Sequence, residues 1–263
     1  MSRTLSIGVF GLGLIGSSLG LDLRAGGHDV TGYDLRQEHA RHALARGAVG
    51  RLVDEPSGTY DVLVLAAPPL ANLALLRCRA RATLWLDTTS VKAPIVQEAS
   101  SLALPFVGGH PLAGTAESGP EAAQSGLFAG STFFLCPGGG SLELASEIAS
   151  GVGARPVVID AETHDRAVAA SSHLVYLMSA ALALHLADLP PEFAGPAARE
   201  MLRTATSSPK LWGEILDLNG PRVAVAASQL TDTLSRLAAG DLAGLAKARE
   251  IATRIRGERS DAR

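Results

Sequence analysis

The chain has 263 residues, enough for two ordinary domains, and is 47% hydrophobic but only 4% aromatic, so alanine, leucine and valine must fill its core. A formal charge of −3 excludes an electrostatic case for nucleic acid or an anionic membrane surface as partner; an anionic ligand has to be caught by a local cluster of cations. Two cysteines, Cys78 and Cys136, cannot build a disulfide framework, and with no metal-ligand spacing around them they read as small buried side chains in a reducing cytoplasm.

In chain order, residues 5–10 read as a strand, 14–25 as a helix, 29–33 as a second strand and 37–46 as a helix charged on one side. Residues 60–67 are a continuous apolar run, the pattern of a parallel strand covered on both faces, and Pro68-Pro69 stops it. A strand at 83–87, a helix at 91–102, short strands at 106–108 and 132–135, a helix at 142–150 and a strand at 155–159 follow. Strands separated by crossover helices predict a doubly wound parallel sheet. After Asp160 the pattern changes to a long helical stretch, 161–187, and then to alanine-rich, leucine-spaced segments punctuated by Pro190-Pro191, Gly195-Pro196, Pro209 and Gly220-Pro221. The expected division is therefore a sheet domain at 1–160 and an all-α domain at 161–263.

Two stretches imitate membrane signals. Residues 5–23 are apolar behind Arg3, but five glycines and Asp22 interrupt them, unlike the core of a signal peptide. Residues 167–187 have nearly the length of a span, yet Ser171, Ser172, His173, Ser179 and His185 lie within it, which suits the centre of a helical dimer. No membrane is expected, and the location expected is the cytoplasm.

Gly11-Leu12-Gly13-Leu14-Ile15-Gly16 directly follows the first strand and opens the first helix. In that setting Gly11 permits the tight turn, Gly13 lets a pyrophosphate approach the backbone, and Gly16 lets helix and strand pack closely. The amides at Leu14, Ile15 and Gly16 then offer a partial positive charge to phosphate. Asp34 ends the second strand, where a carboxylate accepts hydrogen bonds from an adenosine ribose and repels a 2′-phosphate; this favours NAD over NADP, although Arg36 beside it can tolerate that phosphate. Ala66, Ala67, Pro68 and Pro69 close the strand at 60–67 at the carboxyl edge of the sheet, where small residues leave room for the dinucleotide, or simply stop the strand. The sheet domain is thus expected to be a Rossmann-like dinucleotide-binding domain.

Two further segments look specialised. In Asp87-Thr88-Thr89-Ser90-Val91-Lys92, Ser90 is placed to cap the following helix. In 107–115 (VGGHPLAGT) a histidine, His110, sits in a glycine-rich, non-helical loop that presents it to a cleft.

The chain resembles the prephenate/arogenate dehydrogenase family of tyrosine biosynthesis. The likeness runs from the first strand to about Asn219. It is carried by GLGLIGSS (11–18), DTTSVKAPI (87–95), FVGGHPLAGTAESG (106–119), SSHL (171–174) and LRTATSSPKLW (202–212). The resemblance implies oxidation of a cyclohexadienol: hydride leaves the ring carbon bearing the hydroxyl, carboxylate departs as CO₂, and the ring becomes aromatic. It implies that His110 takes the hydroxyl proton, that Ser90 orients this histidine, and that Arg203 clamps the side-chain carboxylate of a small anionic substrate. Ser172, His173, Thr115 and Trp212 become substrate-contact candidates, with core packing the alternative for His173 and Trp212. Lys92 matches a family lysine, with the helix surface as its expected place. Tyr176 stands where some members have a second histidine, and Ala116 where some have glutamate; both bear on which substrate is accepted.

Prephenate with NAD is the expected pair. Arogenate, a β-hydroxyacid or imine reductase reaction, and a non-catalytic NAD(H)-sensing role are the alternatives. The apolar helical half predicts a homodimer. After Gly257 no room for a regulatory domain is expected, so tyrosine feedback would act by competition at the site.

Overall fold

A computed structural model describes residues 3–115, 117 and 119–257. The sheet half contains β1 (Ser6–Phe10), α1 (Leu14–Ala25), β2 (Asp29–Tyr33), α2 (Gln37–Ala45), β3 (Arg51–Leu52), β4 (Ser57–Leu65), α3 (Pro69–Leu75), β5 (Arg79–Asp87), α4 (Ala93–Ser101), β6 (Phe106–Pro111), β7 (Thr132–Gly138), α5 (Leu142–Gly151) and β8 (Arg155–Val158). The eight strands lie in the order β3-β2-β1-β4-β5-β6-β7-β8. The chain reverses direction across the sheet between β1 and β4, the switch point at which such sheets bind ligands.

The sheet is doubly wound as expected, with one antiparallel pair among its otherwise parallel strands. β7 runs antiparallel to β6, with His110 opposite Phe134 and Gly109 opposite Leu135. The physical reason is the connection: residues 112–131 hold a single 3₁₀ turn, Pro120–Ala122, and no crossover helix among the described residues. Without a crossover the next strand returns antiparallel. β8 then pairs parallel with β7 through the α5 crossover.

Both faces of the sheet are covered, as the unbroken apolar run in β4 requires. On one face Leu19 and Leu23 of α1, Ala40 and Ala43 of α2, and Ala145 and Ile148 of α5 pack on Ile7, Val9, Val62 and Val64. On the other, Ile95 and Ala99 of α4 pack with Phe10, Tyr60, Leu63, Trp85 and Phe106. The few aromatic residues are concentrated on this second face, where Phe10 stands edge-on to both Tyr33 and Tyr60. Pro68-Pro69 does more than stop β4: Pro69 occupies the first turn of α3, a position where its missing N–H costs nothing.

The helical half comprises α6 (Ala161–Val168), α7 (Leu174–His185), α8 (Pro196–Leu202), α9 (Pro209–Ala238) and α10 (Leu242–Gly257). Asp160 caps α6 by accepting from the Thr163 amide, and the Thr163 hydroxyl, then this amide, hold its carboxyl below the usual range. The single helix expected at 161–187 is instead α6 and α7 joined by a π-helical turn, Ala169–His173. The span Ala161–His185 is long and apolar enough to cross a membrane by length and composition, with mean hydropathy 1.6. Two of its buried polar side chains are tied to other elements: Asp165 to the start of α4, and Ser179 to the Met201 carbonyl and the Ala205 amide. The rest of the half is sparsely covered. No residue of α10 is buried, and Phe193, Val225, Leu234, Leu242 and Ile255 are all more than half exposed.

Candidate active site

Two groups of residues meet the carboxyl edge of the sheet. The first surrounds the β1–α1 turn. Gly11 has φ +98°, and a Cβ there would lie 2.5 Å from the Ala66 carbonyl carbon and the Ala67 nitrogen, so only glycine lets β1 turn against the end of β4. A Cβ on Gly16 would fall 1.9 Å from the Gly11 oxygen. Gly13 differs: a Cβ would meet nothing within 4 Å, so its backbone faces open space. Gly13 is the N-cap of α1, with no side-chain cap and no acidic residue in the first turn, so the amides of Leu14, Ile15 and Gly16 point outward without a side-chain partner.

Asp34 follows β2 and lies against this turn. One carboxylate oxygen accepts from the Leu12 amide at 2.7 Å and the other from the Arg36 amide at 2.8 Å, leaving further lone pairs for a ligand. Ala67 and Pro68 flank the same opening. They are fixed by Asn72, a residue whose role the sequence pattern did not reveal. Its fully buried amide donates to the Leu65 carbonyl at 2.9 Å and accepts from the Ala67 amide at 3.0 Å.

The second group begins at Asp87, the last residue of β5. Its carboxylate and the Lys92 ammonium are both fully buried and in contact, with Lys92 Nζ 2.6 Å from Oδ1 and also 2.6 Å from the Gly109 carbonyl. Lys92 therefore does not lie on the helix surface as expected. It holds the backbone that carries His110, and Asp87 accepts from the Gly109 amide at 3.0 Å. A Cβ on Gly109 would come 2.3 Å from the Asp87 carbonyl oxygen, so the close approach requires glycine.

His110 belongs to the end of β6, not to a loop, and is 8% exposed. Its Nδ1 lies 2.9 Å from Nε2 of His164 on α6, and His164 Nδ1 lies 2.9 Å from Asp165 Oδ1. Asp165 also accepts from the Lys92 amide at 2.7 Å and the Ala93 amide at 2.8 Å. Ser90, expected to cap α4, does not do so: Asp165 caps that helix from the other half of the molecule. Ser90 is half-buried, and the hydrogen-bond partner of His110 is His164. Burial, then the neighbouring His164 and Lys92, push the His110 imidazole well below the ordinary histidine value.

The helical half closes one side. Asn219 of α9 donates to the Asp165 carbonyl at 3.0 Å and lies 3.1 Å from Nδ1 of His173. His173 is fully buried, its Nε2 has no partner among the described residues, and burial pushes it down to about 4. Its ring meets Trp212 edge-on at 5.9 Å, and Trp212 stacks on Tyr176 at 3.9 Å and 7°. Ser172 is half-buried on the same π turn.

Arg203 is not brought to His110: its side chain is 59% exposed and its Nε lies 3.2 Å from Glu200 on the preceding turn. Thr115 is exposed and donates to the Glu117 carbonyl; Ala116 lies outside the described residues. His110, His173 and Trp212 are thus linked to the seam of the two halves through His164, Asn219 and ring contacts; Ser90 and Ser172 are half-buried beside them in the chain, and Arg203 and Thr115 stay at the surface.

The family described as "Prephenate dehydrogenase, nucleotide-binding domain" matches residues 19–158, and "Prephenate dehydrogenase, dimerization domain" matches residues 160–240. A Streptomyces niveus protein named "Probable prephenate dehydrogenase NovF" is 33% identical over 91% of this chain, and the chain spans 65% of that relative's length. Among solved structures, the prephenate dehydrogenase of Aquifex aeolicus in complex with hydroxyphenyl propionate and NAD⁺ is similar with a TM-score of 0.84 and 25% identity, covering 96% of this chain and 98% of that one. The arogenate dehydrogenase of Synechocystis gives 0.74 and 26%, covering 97% and 99%.

Proposed function

We propose, from the premise that this chain belongs to the prephenate dehydrogenase family, that it converts prephenate to 4-hydroxyphenylpyruvate and CO₂ with NAD⁺. The observation that carries this reading is the presentation of His110. Its Nδ1 is engaged inside the protein, which leaves Nε2 and the residual exposure of the ring for a substrate at the carboxyl edge of the sheet.

The residues of the β1–α1 turn fit a dinucleotide. The open backbone at Gly13, the uncapped amides of Leu14, Ile15 and Gly16, and the spare lone pairs of Asp34 would hold pyrophosphate and ribose, with Ala67 and Pro68 flanking them. NAD⁺, when bound, supplies the hydride acceptor. His110 takes the proton of the ring hydroxyl at Nε2 as hydride leaves the carbon that bears it; loss of CO₂ then completes an aromatic ring. A histidine kept neutral by burial is ready to accept that proton. Ser90 orients the hydroxyl from the β5 side. Ser172, His173 and Trp212 line the helical side, and Thr115 contributes from the loop after β6. Arg203 is the proposed anchor for the side-chain carboxylate, released from Glu200 to make a bidentate contact.

The same reading divides the chain at residue 160 and assigns it to the cytoplasm as a homodimer built through α7–α10, whose exposed apolar side chains need a cover. Arogenate is the alternative substrate: the position of Tyr176, stacked on Trp212, departs from the family pattern on the substrate side.

The test is NADH formation on adding prephenate. His110→Asn should lose about 10²- to 10⁴-fold in kcat while still binding NAD. Full activity in that variant, or no turnover of prephenate by the parent protein, overturns the reading. A higher kcat/KM for arogenate would transfer it to the alternative substrate.

A further inference from the structure

The role proposed for His110 requires a lone pair on Nε2, and a neutral imidazole has two tautomers, only one of which provides it. Three side chains in series bear on the choice. Asp165 is an acceptor-only carboxylate: Oδ2 takes the Ala93 amide and Oδ1 the Lys92 amide, and His164 Nδ1 lies 2.9 Å from Oδ1. A ring nitrogen facing a carboxylate at that distance carries the hydrogen. If His164 is N–H at Nδ1, its Nε2 is an acceptor, and the nitrogen it meets at 2.9 Å, His110 Nδ1, must be the donor. Nε2 of His110 is then unprotonated and faces the opening.

We infer that His164 and Asp165 are positioning residues that lock His110 in its Nδ1–H tautomer, so that the ring enters each cycle with its proton-accepting nitrogen toward the substrate. The inference rests on the reaction proposed above and adds to it a pair of residues contributed by the helical half.

The pair is built for rigidity. His164 and Asp165 are 1% and 0% exposed, and Asn219 fixes the Asp165 backbone from α9. Phe134 of β7 stands edge-on to the His164 ring at 5.4 Å and closes the side away from the seam. The other charged or titratable groups around His110 are Lys92 and Asp87, paired with each other beneath the Gly109 backbone, and His173 on the π turn. None of them hydrogen-bonds to the His110 ring. When His110 gains a proton at Nε2, its Nδ1–H remains directed at His164, and the Asp165 carboxylate beyond stabilises the new charge without taking the proton.

The test uses the full chain labelled with ¹⁵N. Long-range ¹H–¹⁵N correlation of the ligand-free protein reads the tautomer of His110 directly, before any substrate is added. The expected result is Nδ1–H in the parent protein and loss of that preference in His164→Phe, whose ring occupies similar space but accepts nothing. In turnover, His164→Phe should lose about 10- to 100-fold in kcat, a part of what general-base catalysis contributes, with the KM for prephenate unchanged. His164→Gln, which restores an acceptor toward His110 and a donor toward Asp165, should recover both readouts in part. An Nε2–H tautomer in the parent protein, or full kcat in folded His164→Phe, overturns the inference. If His164→Phe does not fold, the parent spectrum and the glutamine variant decide it. If the parent protein turns over neither prephenate nor arogenate, the proposed reaction fails, and the spectrum still decides the tautomer.

Discussion

Replacing Lys92 by methionine removes an ammonium from the interior while keeping most of its apolar stem. In the parent structure Nζ makes contacts of 2.6 Å to Asp87 Oδ1, 2.5 Å to Oδ2 and 2.6 Å to the Gly109 carbonyl, all buried. Removing one partner of such a pair strands the other charge, which typically costs about 3–5 kcal/mol. Asp87 would keep three donors, the amides of Gly109 and Thr89 at 3.0 Å and the Thr89 hydroxyl at 2.5 Å, so the lower end of that range applies. A loss of about 3 kcal/mol in a chain of this size corresponds to a fall in Tm of about 6–12 °C. The assay is thermal unfolding of the ligand-free protein, followed by circular dichroism, for Lys92→Met, Asp87→Asn and the double variant. Because the two singles remove the same interaction, the double should recover about 1–3 kcal/mol relative to their sum. The reasoning fails if Lys92→Met is as stable as the parent, or if the two losses simply add. Since Lys92 and Asp87 both grip Gly109, kcat should also fall in Lys92→Met at temperatures where it remains folded.

The glycine turn separates packing from ligand access: Gly16→Ala should destabilise the fold, because its Cβ would press to 1.9 Å from the Gly11 oxygen, whereas Gly13→Ala should keep its Tm and weaken NAD binding. Paired thermal melts and cofactor titrations check this, and an unstable Gly13→Ala with normal NAD affinity would contradict it. Stability should be fullest above about pH 6.5 and decline as pH falls toward 4, because His173 is held down to about 4 while its unfolded value is about 6.5. The unfolded chain takes up that proton first, which makes this residue's contribution about 3 kcal/mol, and a His173→Phe variant should flatten the decline in Tm over that window. With His110 also held below its ordinary value, the acid limb of kcat/KM should lie below pH 6.5, and an inflection at or above 6.5 would speak against His110 as the base. Sedimentation at micromolar concentration should show a dimer, and serine at Leu242, Leu245 and Ile255 on the exposed face of α10 should weaken it; a monomeric parent protein would refute the expected assembly.

How far the sequence carried depends on the range of the interaction that each feature expresses. The β1–α1 turn was legible because a local backbone requirement writes itself into glycine spacing, and Asp34 because the β2 end lies at a fixed distance from it. The strand at β4 was legible from its apolar run. The helix after it was not: Pro68-Pro69 signals a strand stop, and the same signal marks the first turn of a helix. The two-residue β3 has no periodicity to read. The reversal of β7 follows from a missing crossover helix in a long connection. Lys92 was expected at the surface because a long charged side chain usually is, yet its carboxylate partner stands five residues earlier at the end of β5. His164 and Asp165 escaped notice for a related reason. Polar residues in the first turns of a helix look like a solvated face until tertiary packing shows what that face meets.

The cap that Asp165 places on α4 constrains how the two halves can move. To rotate one half away from the other, the molecule would have to expose the Lys92 and Ala93 amides and pull the Asp165 carboxylate from both of them in the same step. A hinge sewn shut in this way leaves ligand entry to the surface loops around the opening. The placement of His164 against His110 is therefore set when the chain folds, before either ligand arrives.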